Sequence, residues 1–351
     1  MEKNKFKFYK SNINLNKKTI LITGGTGSFG QAFVEKVLSL YKPKKLIIYS
    51  RDEHKQNDMS KVFKKYSHCL RFFIGDVRDR DRLIMAAQGV DYIIHTAALK
   101  HVPIAEYNPF ECIRTNVIGA ENIIYAAINS NVKKVVALST DKAANPINIY
   151  GASKLASDKM FIAGNHLAAN VNSRFSVVRY GNVANSRGSV IPYFKKILRS
   201  GGNYLPITDK RMTRFNITLD QGVEFVLFCL KKMWGGEIFV PKIPSYRVIE
   251  LAKAISPNCK LKFVGIRPGE KIHEEMISTN ESFNTVEFKN YFAIIPNSEF
   301  INWNKKKYLK INKNGKNCKA TFTYNSFTNV KFLNVSEIKK LIQSNLSDIK
   351  F

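Results

Sequence analysis

Tyr150 and Lys154, in "STDKAANPINIYGASK" (139–154), stand four residues apart and so share one face of a helix. A phenol titrates near 10 (roughly), and a neighbouring ammonium stabilises its phenolate and lowers that value. Such a phenolate takes a proton from a hydroxyl while hydride leaves the same carbon. Just upstream, an apolar run ends in Ser139 and Thr140 and passes directly into a charged pair, Asp141 and Lys142. That pair adds a carboxyl and an amine beside the hydride machinery, and its place calls for a chemical reason.

A second constellation lies near the start. "TILITGGTGSFGQAFVEKVL" (19–38) places Gly24, Gly27 and Gly30 after a strand-like run and at the opening of a helix. Glycines permit the tight turn and close approach to a pyrophosphate, and the helix N-terminus offers N–H groups to it. Thr26, Ser28 and Phe29 belong to the same turn. Farther on, "IIYSRDEHK" (47–55) supplies Ser50, Arg51 and Lys55, a hydroxyl and two cations that suit a ribose 2′-phosphate. They favour NADP. Asp52, the acidic residue that an NAD site would use, keeps NAD as the alternative. Asp76 and Val77 in "GDVRD" are placed to hold the adenine. Ala97 and Ala98 keep the wall thin beside the cofactor.

These residues need a scaffold that brings strand ends together. Apolar strand-length runs at 19–23, 45–50, 70–77, 90–98, 133–140 and 174–182 alternate with helical stretches such as 106–130 and 150–169. The runs are near-continuous rather than alternating, as strands buried on both faces are. The pattern predicts an α/β, Rossmann-like doubly wound parallel sheet with right-handed crossovers. Ligands of such sheets bind at the carboxyl edge, which is where Thr140 falls. The rhythm changes after about 183. Residues 1–183 read as the cofactor domain and 184–300 as a smaller substrate lobe that returns some segments to the main sheet. Residues 301–351 read as a basic, peripheral C-terminal extension.

Bulk composition excludes several classes. The 351 residues are 44% hydrophobic, enough for a sizeable core. Five scattered cysteines, an odd number without a CxxC pair, read as free thiols in a reducing cytoplasm. The six histidines lack metal-ligand spacing, and His101 near the site is as readily structural. No signal peptide or transmembrane segment is expected. Net charge is +29, of which residues 1–18 carry +5 and residues 301–351 carry +9. The excess is Lys-rich and diffuse, without a recognition helix or stacking platform, so it reads as a solvated surface rather than a nucleic-acid footprint.

The chain resembles the extended short-chain dehydrogenases that act on nucleotide sugars. Within them it is similar to the inverting UDP-N-acetylglucosamine 4,6-dehydratases that open pseudaminic acid biosynthesis in bacteria. The resemblance runs from about 17 to 290. It rests on "TGGTGSFG", "YSRDE", "FFIGDVRD", "AALKHVPIAEYNP", "STDKAANPINIYGASK", "VVRYGNV", "SRGSV", "ITDKRMTRF", "GGEIFVPKIPS" and "GIRPGEK". It implies oxidation at sugar C4, removal of the C5 proton, loss of the C6 hydroxyl and return of hydride to C6. That chemistry explains the charged pair. Other 4,6-dehydratases carry Asp–Glu there, and a 4-epimerase carries small hydroxyl residues. The expectation is that Lys142, neutral because burial and Lys154 lower its pKa, removes the C5 proton. Asp141 then helps expel the C6 hydroxyl, and Tyr150 is the candidate that reprotonates C5 from the opposite face. Tyrosine rather than methionine at 150 matches the inverting type. By resemblance, Lys100, Asn182 and Arg267 contact the sugar nucleotide, while Thr115, Asn116 and the Arg187 loop border cofactor or substrate. Arg211 and Arg214 meet the diphosphate or bridge the lobes. The family also implies a homo-hexamer. A 4-epimerase, a dehydratase with another C5 outcome, and a non-catalytic NADP-sensing or nucleic-acid-binding protein remain as rivals.

Overall fold

The computed structural model describes residues 13–168, 171–184, 186, 188–297, 303–312 and 314–344. The alternation begins with β1 (Thr19–Thr23), α1 (Ser28–Leu40), β2 (Lys45–Ser50), α2 (Glu53–Val62), β3 (Leu70–Ile74), α3 (Arg80–Ala87) and β4 (Tyr92–His95). The helical stretch that follows is not one rod. It is divided into α4 (Val102–Tyr107), α5 (Pro109–Ile113), a π-helical turn (Arg114–Ile118) and α6 (Gly119–Asn129). Pro109, which has no N–H to donate, sits at the first break. Then come β5 (Lys134–Thr140), a 3₁₀ turn (Asp141–Ala143), α7 (Ile149–Leu167) and β6 (Arg174–Tyr180).

The six strands lie in the order β3-β2-β1-β4-β5-β6, all parallel. The order reverses between β1 and β4, which opens a crevice at their carboxyl ends. Ile20, Leu21 and Ile22 of β1 are fully buried from both faces. Each contributes roughly 1.5–3 kcal/mol by leaving water. Three strands, β3, β4 and β6, end before their apolar runs do. β4 stops at His95 because the N–H groups of Thr96 and Ala97 turn to the Thr23 hydroxyl, at 3.1 and 3.3 Å. The 174–182 run splits at Gly181, and β7 (Asn182–Val183) joins a different sheet.

The second half contains α8 (Val190–Arg199), β8 (Tyr204–Ile207), β9 (Thr213–Ile217), α9 (Leu219–Lys232), β10 (Ile238–Pro241), β11 (Ser245–Arg247), α10 (Val248–Ile255) and β12 (Lys260–Phe263). Next are β13 (Glu275–Ile277), α11 (Thr279–Ser282), β14 (Thr285–Glu287), β15 (Tyr291–Ile294), α12 (Lys305–Ile311), β16 (Lys316–Asn317), β17 (Tyr324–Asn325) and α13 (Val335–Ser344). β10 adds to the main sheet beside β6, and β15, β14 and β16 complete it as an antiparallel edge. β7, β9 and β11 form a small sheet. A separate core containing Phe194, Leu205, Tyr246, Leu251 and Ile338 fills the smaller lobe.

The C-terminal segment corrects the expectation of a peripheral extension. Tyr308 is 1% exposed and packs edge-on against Trp234. β16 closes the edge of the main sheet, β17 pairs with β13, and Ile338 and Ile342 of α13 are buried in the smaller core. Lysines and asparagines dominate the composition there, but Tyr308, Tyr324, Leu333, Ile338 and Ile342 are buried and anchor the segment.

Candidate active site

The crevice at the switch point is a cavity of about 620 Å³. Its floor is the turn between β1 and α1. Gly24 has φ +65°, and a Cβ there would meet the Ala97 backbone at 3.0 Å. A Cβ on Gly30 would lie 2.3 Å from the Gly25 carbonyl oxygen, so α1 packs directly on the turn. No side chain caps the N-terminus of this 13-residue helix. The residues at its opening, Thr26, Gly27, Ser28 and Phe29, line the cavity.

Ser50 and Val77 line the same cavity with Arg51, Lys55 and Asp76. Gln56 donates to the Ser50 hydroxyl at 3.0 Å. Arg51 lies 3.6 Å from Asp76, whose carboxylate also takes Arg78 at 2.7 Å. Asp52 accepts from the Lys55 N–H as the N-cap of α2 and pairs with the Lys55 ammonium. Its carboxylate is thus committed to its own helix. Across the crevice, Ala97 and Thr115 form the wall, and the buried Thr115 hydroxyl has no partner among the described residues. Asn116 is not in the wall. It is 1% exposed and grips the Leu99 backbone, accepting from its N–H and donating to its carbonyl, both at 2.9 Å. It holds the loop that carries Ala97 and Lys100.

The reacting groups gather at the end of β5. α7 is capped by Asn148, whose side chain accepts from the Gly151 N–H at 2.7 Å and donates to the Gly269 carbonyl at 2.7 Å. One helical turn then places Tyr150 and Lys154 together, 8% and 3% exposed. Tyr150 is hydrogen-bonded to Thr140. The Thr140 hydroxyl donates to Asp141 Oδ1 at 3.0 Å. Lys142 Nζ lies 3.0 Å from Asp141 Oδ1 and 3.0 Å from Glu274 Oε1. The chain of contacts is therefore Tyr150–Thr140–Asp141–Lys142–Glu274. Thr140, Lys142, Tyr150 and Lys154 reach the cavity wall, while Asp141 lies fully buried behind them.

Two expectations about charge are corrected here. Lys142 is not neutral at rest. Burial works against its charge, but Asp141 and Glu274 outweigh burial and hold it above the ordinary lysine range. The Tyr150 phenol is not lowered. Burial pushes it up to about 12, against the opposing pull of Lys142 and the hydrogen bond with Thr140. Lys154 does titrate below its ordinary value, through burial, although Asp158 counteracts this. Burial raises the Asp141 carboxyl, and Glu274 adds to that effect. Burial also opposes ionisation of Glu274, but Lys142 and Arg214 overcome it and hold the carboxyl below its usual range. One oxygen of each carboxyl, Asp141 Oδ2 and Glu274 Oε2, is buried without a partner among the described residues.

Among the residues expected to bind a second ligand, Lys100 and Asn182 line the cavity. Arg211 is exposed and paired with Asp209 at 2.7 Å, and Arg267 is exposed and paired with Glu270 at 2.5 Å. Neither belongs to the wall. Arg214 is 8% exposed, donates to the carbonyls of Thr213, Ile272 and Lys271, and approaches Glu274 at 3.6 Å. It bridges segments rather than facing the crevice. Arg187 lies outside the described residues. The residue that the sequence reading missed is Glu274. It sits in "KIHEEM", four residues after "RPGE", with no spacing that ties it to Lys142. Only the packing of 271–275 against the turn after β5 brings them together.

Three comparisons bear on this site. A family model described as "Polysaccharide biosynthesis protein" matches residues 20–296. The UDP-N-acetylglucosamine 4,6-dehydratase (inverting) of Campylobacter jejuni is 54% identical over 330 residues, 93% of this chain and 98% of that protein. A UDP-glucose 4-epimerase of Rickettsia akari is 41% identical over 333 residues, 93% of this chain and 95% of that protein. Among solved structures, Pen from Bacillus thuringiensis superposes with a TM-score of 0.85 at 34% identity, covering 95% of this chain and 100% of that one.

Proposed function

Because the chain belongs to the polysaccharide biosynthesis protein family, we propose that it removes water from UDP-N-acetylglucosamine and inverts C5. The observation that carries this reading is the Asp141–Lys142 pair, joined through Thr140 to Tyr150 at the wall of a dinucleotide-shaped crevice. A simple dehydrogenase or epimerase has no use for the added carboxyl and amine.

The residues present fit a nicotinamide dinucleotide. The uncapped α1 N-terminus suits the pyrophosphate, and the unpartnered Thr115 hydroxyl offers a hydrogen bond within the wall. Ser50, Arg51 and Lys55 line the crevice, and a hydroxyl with two cations suits a ribose 2′-phosphate. Asp52 lines the same crevice but caps α2 and pairs with Lys55, so the reading these groups support is NADP. When bound, that cofactor accepts hydride from sugar C4 and later returns it to C6.

Once its phenol has lost its own proton to solvent, a step that Lys154 beside it favours, Tyr150 takes the C4 hydroxyl proton. The resulting ketone acidifies the C5 proton, which Lys142 removes from the cavity wall. Asp141, whose carboxyl burial raises toward the protonated form, supplies a proton through Thr140 to the departing C6 hydroxyl. Tyr150, now carrying the C4 proton, delivers it to the opposite face of C5, so the product retains every atom except one water. Lys100 and Asn182 hold the sugar nucleotide. Arg211 and Arg267, paired with Asp209 and Glu270 at the surface, would reach it only by releasing those partners. The family resemblance further supports a cytoplasmic homo-hexamer that feeds pseudaminic acid biosynthesis. Among the described residues no helix is long and apolar enough to cross a membrane.

The test is mass spectrometry of the nucleotide sugar after incubation with the purified chain. Loss of one water is expected. A product of unchanged mass would mean epimerisation and would overturn the reading.

A further inference from the structure

Lys142 poses a problem that the elimination alone does not solve. A lysine acts as a base only after losing a proton, and this one is clasped by two carboxyl groups. Asp141 is assigned the proton for the leaving hydroxyl, which leaves Glu274 as the carboxyl without a task. We propose that Glu274 is the acceptor that takes the proton from Lys142 before the C5 step. The inference rests on the dehydratase reading and assigns a role to a residue outside it.

Geometry supports the assignment. Glu274 Oε1 lies 3.0 Å from Lys142 Nζ, the same distance as Asp141 Oδ1. Glu274 is 1% exposed, and its second oxygen has no partner among the described residues. The backbone at Glu274 is also firmly placed. The Glu274 N–H donates to Ser326 Oγ at 2.9 Å, and the Ser326 N–H donates to the Glu274 carbonyl at 2.8 Å. Ser326 Oγ in turn lies 2.7 Å from Thr213 Oγ1. Moving one proton across 3.0 Å turns the ion pair into a neutral pair; the resting site favours the ion pair, so the neutral pair is a minor state on which the C5 step draws.

Charge around Lys142 fits the same role. Arg214, Lys271 and Lys100 face it from three other segments, and each cation favours its loss of a proton. Tyr150 and Tyr246 are the phenols that feel its charge. The carboxyl groups that face it are those of Asp141 and Glu274.

The steps balance. The Lys142 Nζ–H bond breaks and a Glu274 Oε1–H bond forms. The neutral amine takes the C5 proton, and the C5–H electron pair becomes the C5–C6 double bond as the C6–O bond breaks. The hydroxyl leaves as water with the proton from Asp141. The proton on Glu274 then returns through Lys142 to Asp141, and all three groups regain their starting state.

The experiment compares the full-length wild type with Glu274→Gln and Glu274→Asp over about pH 6 to 10, reading 6-deoxy-4-keto product from UDP-N-acetylglucosamine. Wild type should be nearly flat. Glu274→Gln offers no acceptor, so solvent must strip Lys142. Its rate should climb about tenfold per pH unit, while KM stays within about threefold. Glu274→Asp keeps the acceptor and should give a slower but flat profile, a result that remains informative if the Gln variant folds poorly. A rate for Glu274→Gln that is lowered by one factor at every pH, or not lowered, overturns the proposal, as does a pH-climbing Asp variant. Absence of dehydration by wild type would instead overturn the function itself.

Discussion

Replacing Gly151 with alanine asks whether contact between α7 and the turn after β5 sets the position of Lys142. A Cβ on Gly151 would lie 2.3 Å from the Lys142 carbonyl oxygen and 3.1 Å from its carbonyl carbon. Ordinary contact begins at 3.4 Å, and backbone cannot rotate out of the way, so the turn must retreat by about 1 Å. That turn delivers the ammonium to its place 3.0 Å from both carboxyl groups. Misplacing a reacting group by about 1 Å costs on the order of 10² in rate. Stability should change less. Overpacking costs roughly 1–3 kcal/mol, and the better helix propensity of alanine returns up to roughly 1 kcal/mol. The assay pairs kcat with urea unfolding of the same preparation. The expected outcome is a fall in kcat of about 100-fold with a net loss of about 3 kcal/mol or less. A kcat within about threefold of wild type would refute the claim that this contact positions the base.

Two further predictions concern the cofactor crevice. Arg51→Ala should raise the KM for NADP by about tenfold or more while leaving that for NAD nearly unchanged, measured by cofactor titration of the apo-enzyme. An equal effect on both dinucleotides would remove Arg51 from the 2′-phosphate site. The second prediction follows from His95, which is 1% exposed, bonded through Nδ1 to the Thr23 hydroxyl at 2.8 Å, and lowered by burial and Lys154 to about 3. A depressed histidine stabilises the fold above its unfolded pKa of about 6.5, and that contribution is lost as pH falls toward the folded value. Between pH 7 and about pH 5 the loss from this one group is about 2 kcal/mol. Denaturant unfolding of His95→Gln should show a correspondingly shallower acid decline, and an identical decline would exclude His95 as its source.

The parallel sheet was legible because strands buried on both faces read as unbroken apolar runs, and β1, β2 and β5 coincide with theirs. The strand ends were harder to place. The β4 run continues to Ala98, but Thr23 diverts two of its N–H groups, and a hydroxyl on a neighbouring strand leaves no trace in local pattern. Glycine spacing and the i, i+4 pair placed the cofactor turn and Tyr150/Lys154 together, since both features are local. Charge state was not local. The protonation of Lys142 depends on Glu274, brought in from 132 residues away by the segment before β13. Asn116 looked like a wall residue, yet its short amide is consumed by the Leu99 backbone. The basic C-terminal segment misled through composition, because Tyr308 and Ile338 decide its place and its lysines do not.

The most direct test of the account is the product formed from UDP-N-acetylglucosamine in deuterium oxide, read by proton NMR. Elimination with C5 inversion predicts a 6-deoxy-4-keto sugar carrying one solvent deuterium at C5, with couplings of the inverted configuration. A 6-deoxy-4-keto sugar that retains the C5 configuration, or a 4-epimer without loss of water, would contradict it.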